Sequence, residues 1–352
     1  MVLSSFKTSL RSLTRYRFYT LLNIVGFSLG LTLVIYIGLY LYEQFSYDKW
    51  YPEHDRIYRV EFGDWALLGP VYSRVISSSS ADIEQVLRVN NNFGTNAPVT
   101  LEDQPNTFRI PSLLLADSSF FDFFPFQFLA GTAQTALKDK FSIVVTRSEA
   151  VRLFGSVDAV GKIVRLHDRH PLTVTGVIED VQLFHLKFDA VTSFSLFENI
   201  YSPQYMESTG NWNHNTYIKT HPEANPELIA QNIEKTAIDY INELFGTVPD
   251  WNINLRPIAD IYFTDAKMHE SMVVHGNKTV SYVLLIIAVF ILGIAVINYM
   301  NLSTARSAGR SRETGIRKLL GSTRNGLMMR YYAETLLITF VAVILALLLV
   351  EV

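Results

Sequence analysis

The amino-acid sequence predicts a membrane protein: α-helical transmembrane segments plus an α+β, two-lobed extracytoplasmic domain inserted between helices 1 and 2. Three observations lead there. Residues 20–42 and 279–300 are uncharged runs of 23 and 22 residues, each long enough as a helix to cross about 30 Å of hydrocarbon. Basic residues crowd the flanks of these runs. Residues 43–278, between them, hold 30 acids against 19 bases, a formal charge of −11.

Residues 1–19 carry Lys7, Arg11, Arg15 and Arg17 with no acid, while Leu3, Phe6, Leu10 and Leu13 recur at helical spacing on the other side. This is the pattern of a cytoplasmic amphipathic segment lying in the inner interface. Helix 1 follows at 20–42. No small-residue cleavage site closes it, so it reads as an uncleaved anchor. Within it Gly26, Gly30 and Gly38 form a flat side for helix packing. The same stretch, GFSLG, matches the hydrolase pattern G-x-S-x-G, but that motif needs a strand, a sharp turn and an exposed serine. Ser28 instead lies inside a span.

In residues 43–278, RIYRVEF alternates as a strand, 70–87 reads as a helix and a second strand follows; NTYIKT, residues 226–245 and NINLRPI repeat that order. Two such units can build one sheet with helices on a face. Between them FSIVVTRSEAVRLFG, GKIVRL and PLTVTGVIEDV predict an inserted, strand-rich lobe of about 113–200. No catalytic, cofactor-binding or metal-binding set emerges. GSVDAVGK has five residues between its glycines, and Ile163 stands where a phosphate loop needs a magnesium-binding hydroxyl. His167 and His170 fall in a turn between strands without a third ligand at zinc spacing. The acidic domain excludes nucleic acid as a partner, and the absence of cysteine excludes disulfides and thiol chemistry.

After helix 2 at 279–300, residues 301–330 carry seven bases against Glu313 alone. A short helix is expected there, ending after Leu320 at Gly321, with Glu313 and Arg317 paired at i,i+4 and Ile316, Leu319 and Leu320 on one side. Residues 331–352 form helix 3, where Tyr331 and Tyr332 are interfacial anchors and Glu334 can reach the headgroups. The basic flanks assign 1–19 and 301–330 to the cytoplasm and 43–278 to the outside.

SYDKWYPEHDRIYRV after helix 1, VTGVIEDV and LKFDAV within the domain, and INYMNLSTARSAGRSRETGIRKLLGS after helix 2 resemble one family in order: ABC transporter permeases of the MacB and FtsX kind, with a MacB-like periplasmic core domain. The resemblance covers essentially the whole chain. It implies a non-catalytic permease subunit of the bacterial cytoplasmic (inner) membrane, embedded in the lipid bilayer and served by a separate cytosolic ABC ATPase. Arg312, Glu313, Gly315, Ile316, Arg317, Lys318, Leu320 and Gly321 match the family's E-x-G-I-R-K-x-x-G docking stretch, within the coupling segment 301–330. The resemblance further implies a second permease copy or half in a dimer, and a periplasmic adaptor or substrate protein as another partner. Export, substrate extraction and mechanotransmission are all work that such systems do. It also implies four helices per unit where this sequence carries three, so a truncated permease is expected. The alternative is a membrane-anchored extracytoplasmic ligand sensor. A sensor needs a long linker and an output module after helix 2, whereas this chain returns to the membrane at residue 331.

Overall fold

The computed structural model describes residues 17–90, 95–102, 104–200, 202–264, 273–319 and 323–351. The N-terminal segment up to residue 16, Leu320 and Gly321 lie outside the described residues. Among those described, six helices have eight residues or more: α1 Arg17–Ser46, α2 Tyr72–Ser79, α3 Arg147–Phe154, α4 Pro226–Phe245, α5 Lys278–Leu319 and α6 Arg324–Glu351. The chain divides into two units, residues 1–45 with 277–352, and residues 46–276.

In the first unit, α1, α5 and α6 are each long and apolar enough to cross a membrane, over Thr20–Ser46, Lys278–Leu302 and Arg324–Glu351. Only 17–22% of each apolar window is buried by protein. Leu29, Phe290 and Phe340 all point outward. A water-soluble bundle would turn such side chains inward, so lipid is the solvent for these faces. Much of what the helices turn toward each other is small or polar: Ser28 and Thr32 on α1, Ala288 and Ala295 on α5, Ala342 and Ala346 on α6 are all buried. The Ser28 hydroxyl donates to the Val25 carbonyl at 3.0 Å, an ordinary helix contact and no nucleophile elbow.

Helices α1 and α5 run antiparallel, with Phe27 against Tyr299 and Phe45 against Tyr282. A Cβ built on Gly30 would lie 2.9 Å from the Ala295 Cβ, and one on Gly26 would lie 3.1 Å from Asn298. Gly38 has nothing within 4 Å. Helix α6 joins through Tyr299, whose hydroxyl meets the Thr335 hydroxyl at 2.9 Å, and through Tyr36, which donates to the Val350 carbonyl at 3.0 Å. Glu334, expected among the headgroups, is buried instead, in line with Ile338, Ala342 and Ala346 at four-residue spacing.

Helix α5 departs from expectation in length. The separate short helix anticipated after residue 300 is part of one continuous 42-residue helix, about 63 Å long at 1.5 Å per residue. No glycine or proline geometry breaks it: even Gly309 and Gly315 stay within the helical run.

Unit 46–276 is built on one 12-stranded sheet: β1 Ile57–Phe62, β2 Leu67–Leu68, β3 Ile83–Asn90, β4 Thr95–Leu101, β5 Gln104–Ala116, β6 Phe128–Gly131, β7 Ser142–Thr146, β8 Ile163–Leu166, β9 His170–Ile178, β10 Ala190–Ser193, β11 His214–Thr220 and β12 Ile253–Pro257. Strands β3, β11, β1 and β12 lie side by side, all antiparallel. Each strand–helix–strand unit therefore receives a strand of the other between its own two, a split β-α-β arrangement. Helices α2 and α4 share one face, where Tyr72, Val75 and Ile76 meet Ile229, Ile233, Val60 and Phe62. Asn225 caps α4 by accepting from Glu227 and Leu228 amides, Pro226 opens it, and Gly246 ends it in the left-handed conformation.

On β1, Arg59 and Glu61 point away from the helices and are fully buried. Arg59 stands directly opposite Arg256, a like-charged pair that would repel. The Glu61 carboxylate accepts from both, at 2.7 and 2.6 Å, and offsets the repulsion.

Two sequence expectations need correction here. The helix read over 70–87 stops at Ser79, and 83–90 is strand β3. Ser77, Ser78 and Ser79 each turn a hydroxyl back onto a carbonyl three residues earlier, the local bonding that makes serine a poor helix continuer. The expected edge at residue 113 falls inside β5, because the strand-rich part already begins at β4. Its pairings close a circuit of six strands, β4–β5–β10–β7–β9–β8 and back to β4. Val99, Ile110, Leu113, Val145, Val164, Leu172 and Ala190 pack together within it.

Overpacking at the α1–α5 crossing is a direct test of that geometry. Gly30→Leu is expected to destabilise the helix unit by about 1–3 kcal/mol, read as a lowered unfolding temperature of the full chain in lipid. Gly38→Leu, which meets open space, should leave it unchanged.

Candidate functional site

Where the chain leaves α1 it is pinned at once. The Tyr47 ring stacks on Tyr262 at 3.7 Å between centroids and 11° between planes. Asp48 is fully buried, and its Oδ1 accepts from the His185 backbone amide at 3.1 Å and lies 2.7 Å from His185 Nδ1. The carboxyl oxygen and the ring nitrogen share one hydrogen bond. His185 Nε2 meets the Tyr217 hydroxyl on β11 at 2.8 Å, so a carboxylate, an imidazole and a phenol form one buried row. Trp50 and Tyr51 continue the attachment into the phenylalanine cluster, against Phe126 and Phe124. Burial, reinforced by Asp48 and then Tyr217, pushes the Tyr51 phenol far above its usual range and keeps it neutral. Glu53 pairs with Lys219 at 2.5 Å and with Arg56 at 2.7 Å, and Arg56 pairs also with Glu84.

The segment that leads out toward α5 is fastened to the same two residues. The Val274 amide donates to the His185 carbonyl at 2.7 Å, and Val273 bridges Leu186. The Gly276 amide donates to the Tyr262 carbonyl at 2.8 Å. A Cβ on Gly276 would fall 2.1 Å from the Tyr262 ring, so the close approach requires glycine. His185 and Tyr262 each touch both the entering and the leaving chain.

Backbone strain concentrates here too. Asp48 and Leu183 have φ of 58° and 51°, and the Asp48 amide donates to the Leu183 carbonyl at 2.9 Å. Aspartate tolerates the left-handed region; a leucine held there costs on the order of 1–3 kcal/mol and persists only where its surroundings enforce it.

Of the residues matched to the docking stretch, Gly315, Ile316 and Lys318 are exposed on the last turns of α5. Ile316 and Leu319, three residues apart, are 53% and 89% exposed. Arg312, Glu313 and Arg317 lie on the same helix with side chains outside the described residues, and Leu320 and Gly321 lie outside altogether. The GSVDAVGK loop runs from α3 to β8, with Gly155 ending the helix in the left-handed conformation. That order is the reverse of strand–loop–helix, which a phosphate loop needs. His167 forms a hairpin tip with φ of 52°. The clamp itself escaped sequence reasoning. Asp48 stood within a quoted motif, but its partner is 137 residues away.

The comparisons with known proteins bear on this arrangement. The family model for the MacB-like periplasmic core domain matches residues 20–236, and that for the FtsX-like permease C-terminal matches 285–352. No curated protein matches. Among solved structures, a permease-protein domain from Porphyromonas gingivalis is 20% identical, with a TM-score of 0.48 over 66% of this chain and 98% of its own. The periplasmic region of MacB from Actinobacillus actinomycetemcomitans is 17% identical, with a TM-score of 0.39 over 57% and 88%. The extracellular domain of the noncanonic ABC-type transporter YknZ from Gram-positive bacteria is 17% identical, with a TM-score of 0.38 over 56% and 99%. The chain belongs to the MacB/FtsX-like permease family. That family consists of ABC transporter permeases, membrane proteins generally without catalysis of their own, which normally work with an ATPase in a separate subunit.

Removing the Asp48 side chain leaves the buried His185 amide and Nδ1 without this partner, at about 1–3 kcal/mol each. Asp48→Ala should therefore lower the unfolding temperature of the full chain sharply. Arg74→Ala, which breaks an exposed pair with Glu207, should change it little. Equal effects would show that the buried row contributes nothing special.

Proposed function

We propose that this permease subunit transmits movement from a cytosolic ABC ATPase to its domain of residues 46–276, and that the clamp at His185 and Tyr262 is the point of attachment. The supporting observation is the continuity of α5. One helix leads from Lys278, two residues after Gly276, to the exposed Ile316 and Leu319. A helix is stiff along its axis, so a displacement at one end is passed to the other instead of being absorbed by a loop.

In this reading the N-terminus and the α5–α6 connection are cytoplasmic, supported by the seven bases of 301–330 and the net −11 of 43–278. The domain lies outside the cytoplasmic membrane, its split β-α-β part and its strand ring acting as two lobes. The ATPase docks on Arg312, Glu313, Gly315, Ile316, Arg317, Lys318, Leu320 and Gly321, with Ile316 as the apolar anchor. A second permease copy or half completes a dimer. Export, extraction of substrate and mechanotransmission to a periplasmic partner are all outputs such a device can drive.

Ile316→Asp separates docking from a mere topology signal. It keeps every base, so orientation should hold. In a groove, however, it buries an unpaired carboxylate at a cost of several kcal/mol, and each 1.4 kcal/mol is about tenfold in affinity. Pull-down of the full chain from native membranes should recover an ABC ATPase with the parent sequence and lose it with Ile316→Asp. A single cysteine at Ser118, unique because the chain has no other, should react with an impermeant thiol reagent from outside in both. Retention of the ATPase by Ile316→Asp would refute docking at this residue.

A further inference from the structure

Three of the chain's four tryptophans gather at one place in unit 46–276. Phe62, Trp65, Trp212 and Trp251, with Gly63, Asp64, Asp250 and Asn252, line a cleft of about 690 Å³. That volume falls within the range of small-molecule sites, roughly 300–1,000 Å³.

The cleft is built by specific bonds. Gly63 and Asp64 form a two-residue turn closed by reciprocal bonds between the Phe62 and Trp65 amides and carbonyls, at 2.8 and 3.1 Å. Gly63 has φ of 58° and donates its amide to the Asn252 carbonyl at 2.8 Å, tying the turn to the Asp250–Asn252 segment. The rings of Trp65 and Trp212 meet edge-on at 5.6 Å, and Phe62 lies 5.1 Å from Trp251. The Trp212 ring nitrogen is spent on the Thr209 carbonyl at 2.8 Å, so Trp212 offers the cleft aromatic surface and no hydrogen bond. Trp65 is 42% exposed.

Charge decides what the cleft suits. Asp64 and Asp250 are both exposed on its wall. A smaller neighbouring hollow that shares Asn252 adds Glu227 and Glu234. Neither is lined by a lysine or arginine. An anion would be repelled, and a neutral apolar guest would leave the carboxylates to be desolvated without compensation. A cation with an apolar body satisfies both parts, since indole faces attract cations and carboxylates pair with them.

We propose that this cleft binds an organic cation, an alkylammonium or quaternary ammonium group carried on a molecule of drug size. The site is independent of how the ATPase docks, and its occupant would be a cargo or a regulator met outside the membrane.

The cleft carries its own reporter. With the full chain in lipid nanodiscs, choline titrated at constant ionic strength should change tryptophan fluorescence saturably. Dimethylbutanol, its neutral carbon isostere, should act at least about tenfold more weakly. Asp64→Asn combined with Asp250→Asn, both exposed positions, should weaken the choline response by about tenfold while the unfolding temperature holds. Trp50→Phe, which removes the one tryptophan outside the cleft, should leave the response intact. An equal response to the alcohol, an undiminished response in the double variant, loss of the response in Trp50→Phe, or no saturable response to choline would each overturn the proposal.

Discussion

Asp48, a carboxyl group with no exposed surface, is the constraint that sets how the chain enters the domain of residues 46–276. Burying a polar group costs free energy unless it is hydrogen-bonded, so Asp48 Oδ1 needs partners where it lies. His185 supplies two, its backbone amide and Nδ1, and Tyr217 anchors the imidazole from the other side. Because Asp48 stands two residues after the end of α1, the hydrogen-bonding demand of one side chain fixes the point at which the chain enters its domain.

The rest follows from having only one such point. Val274 takes the carbonyl of the residue whose side chain Asp48 holds, and Gly276 packs on the ring that Tyr47 stacks upon. The two tethers therefore meet on the same pair of residues, His185 and Tyr262. Interiors packed in this way respond to load as blocks with discrete arrangements instead of bending continuously. The left-handed φ of Leu183 beside Asp48 is the kind of local strain that persists where neighbours over-determine a conformation.

Much of this was legible in the sequence, for definite physical reasons. The spans declare themselves because hydrocarbon tolerates no charge, β1 and β11 because polar and apolar residues alternate along them, and α4 because its apolar residues recur at helical spacing. The end of α2 at Ser79 was not legible, because hydroxyls that bond back to carbonyls, as those of Ser77, Ser78 and Ser79 do, weaken a helix without excluding one. The closing of the strand ring depends on β10 pairing with both β5 and β7, and short strands carry no record of their partners. Helix α5 was divided at residue 300 because hydropathy falls there, yet polarity marks a change of solvent and not of backbone. Asp48 and His185 illustrate the same limit. A row of polar groups assembled across 137 residues has no local pattern, and Gly276 looks like any loop glycine until the Tyr262 ring is placed against it.

Amide hydrogen exchange on the full chain in lipid measures the clamp directly. The Asp48, His185 and Val274 amides donate to Leu183, Asp48 and His185 respectively. If these bonds tie both tethers into the core, the three amides should exchange only when the domain opens globally, with the protection of Val144 and Val177 in the strand ring. Exchange at Asp48, His185 and Val274 that runs far faster than at those ring amides would mean that the tethers open locally while the core stays folded, and a connection that opens under no load cannot transmit one.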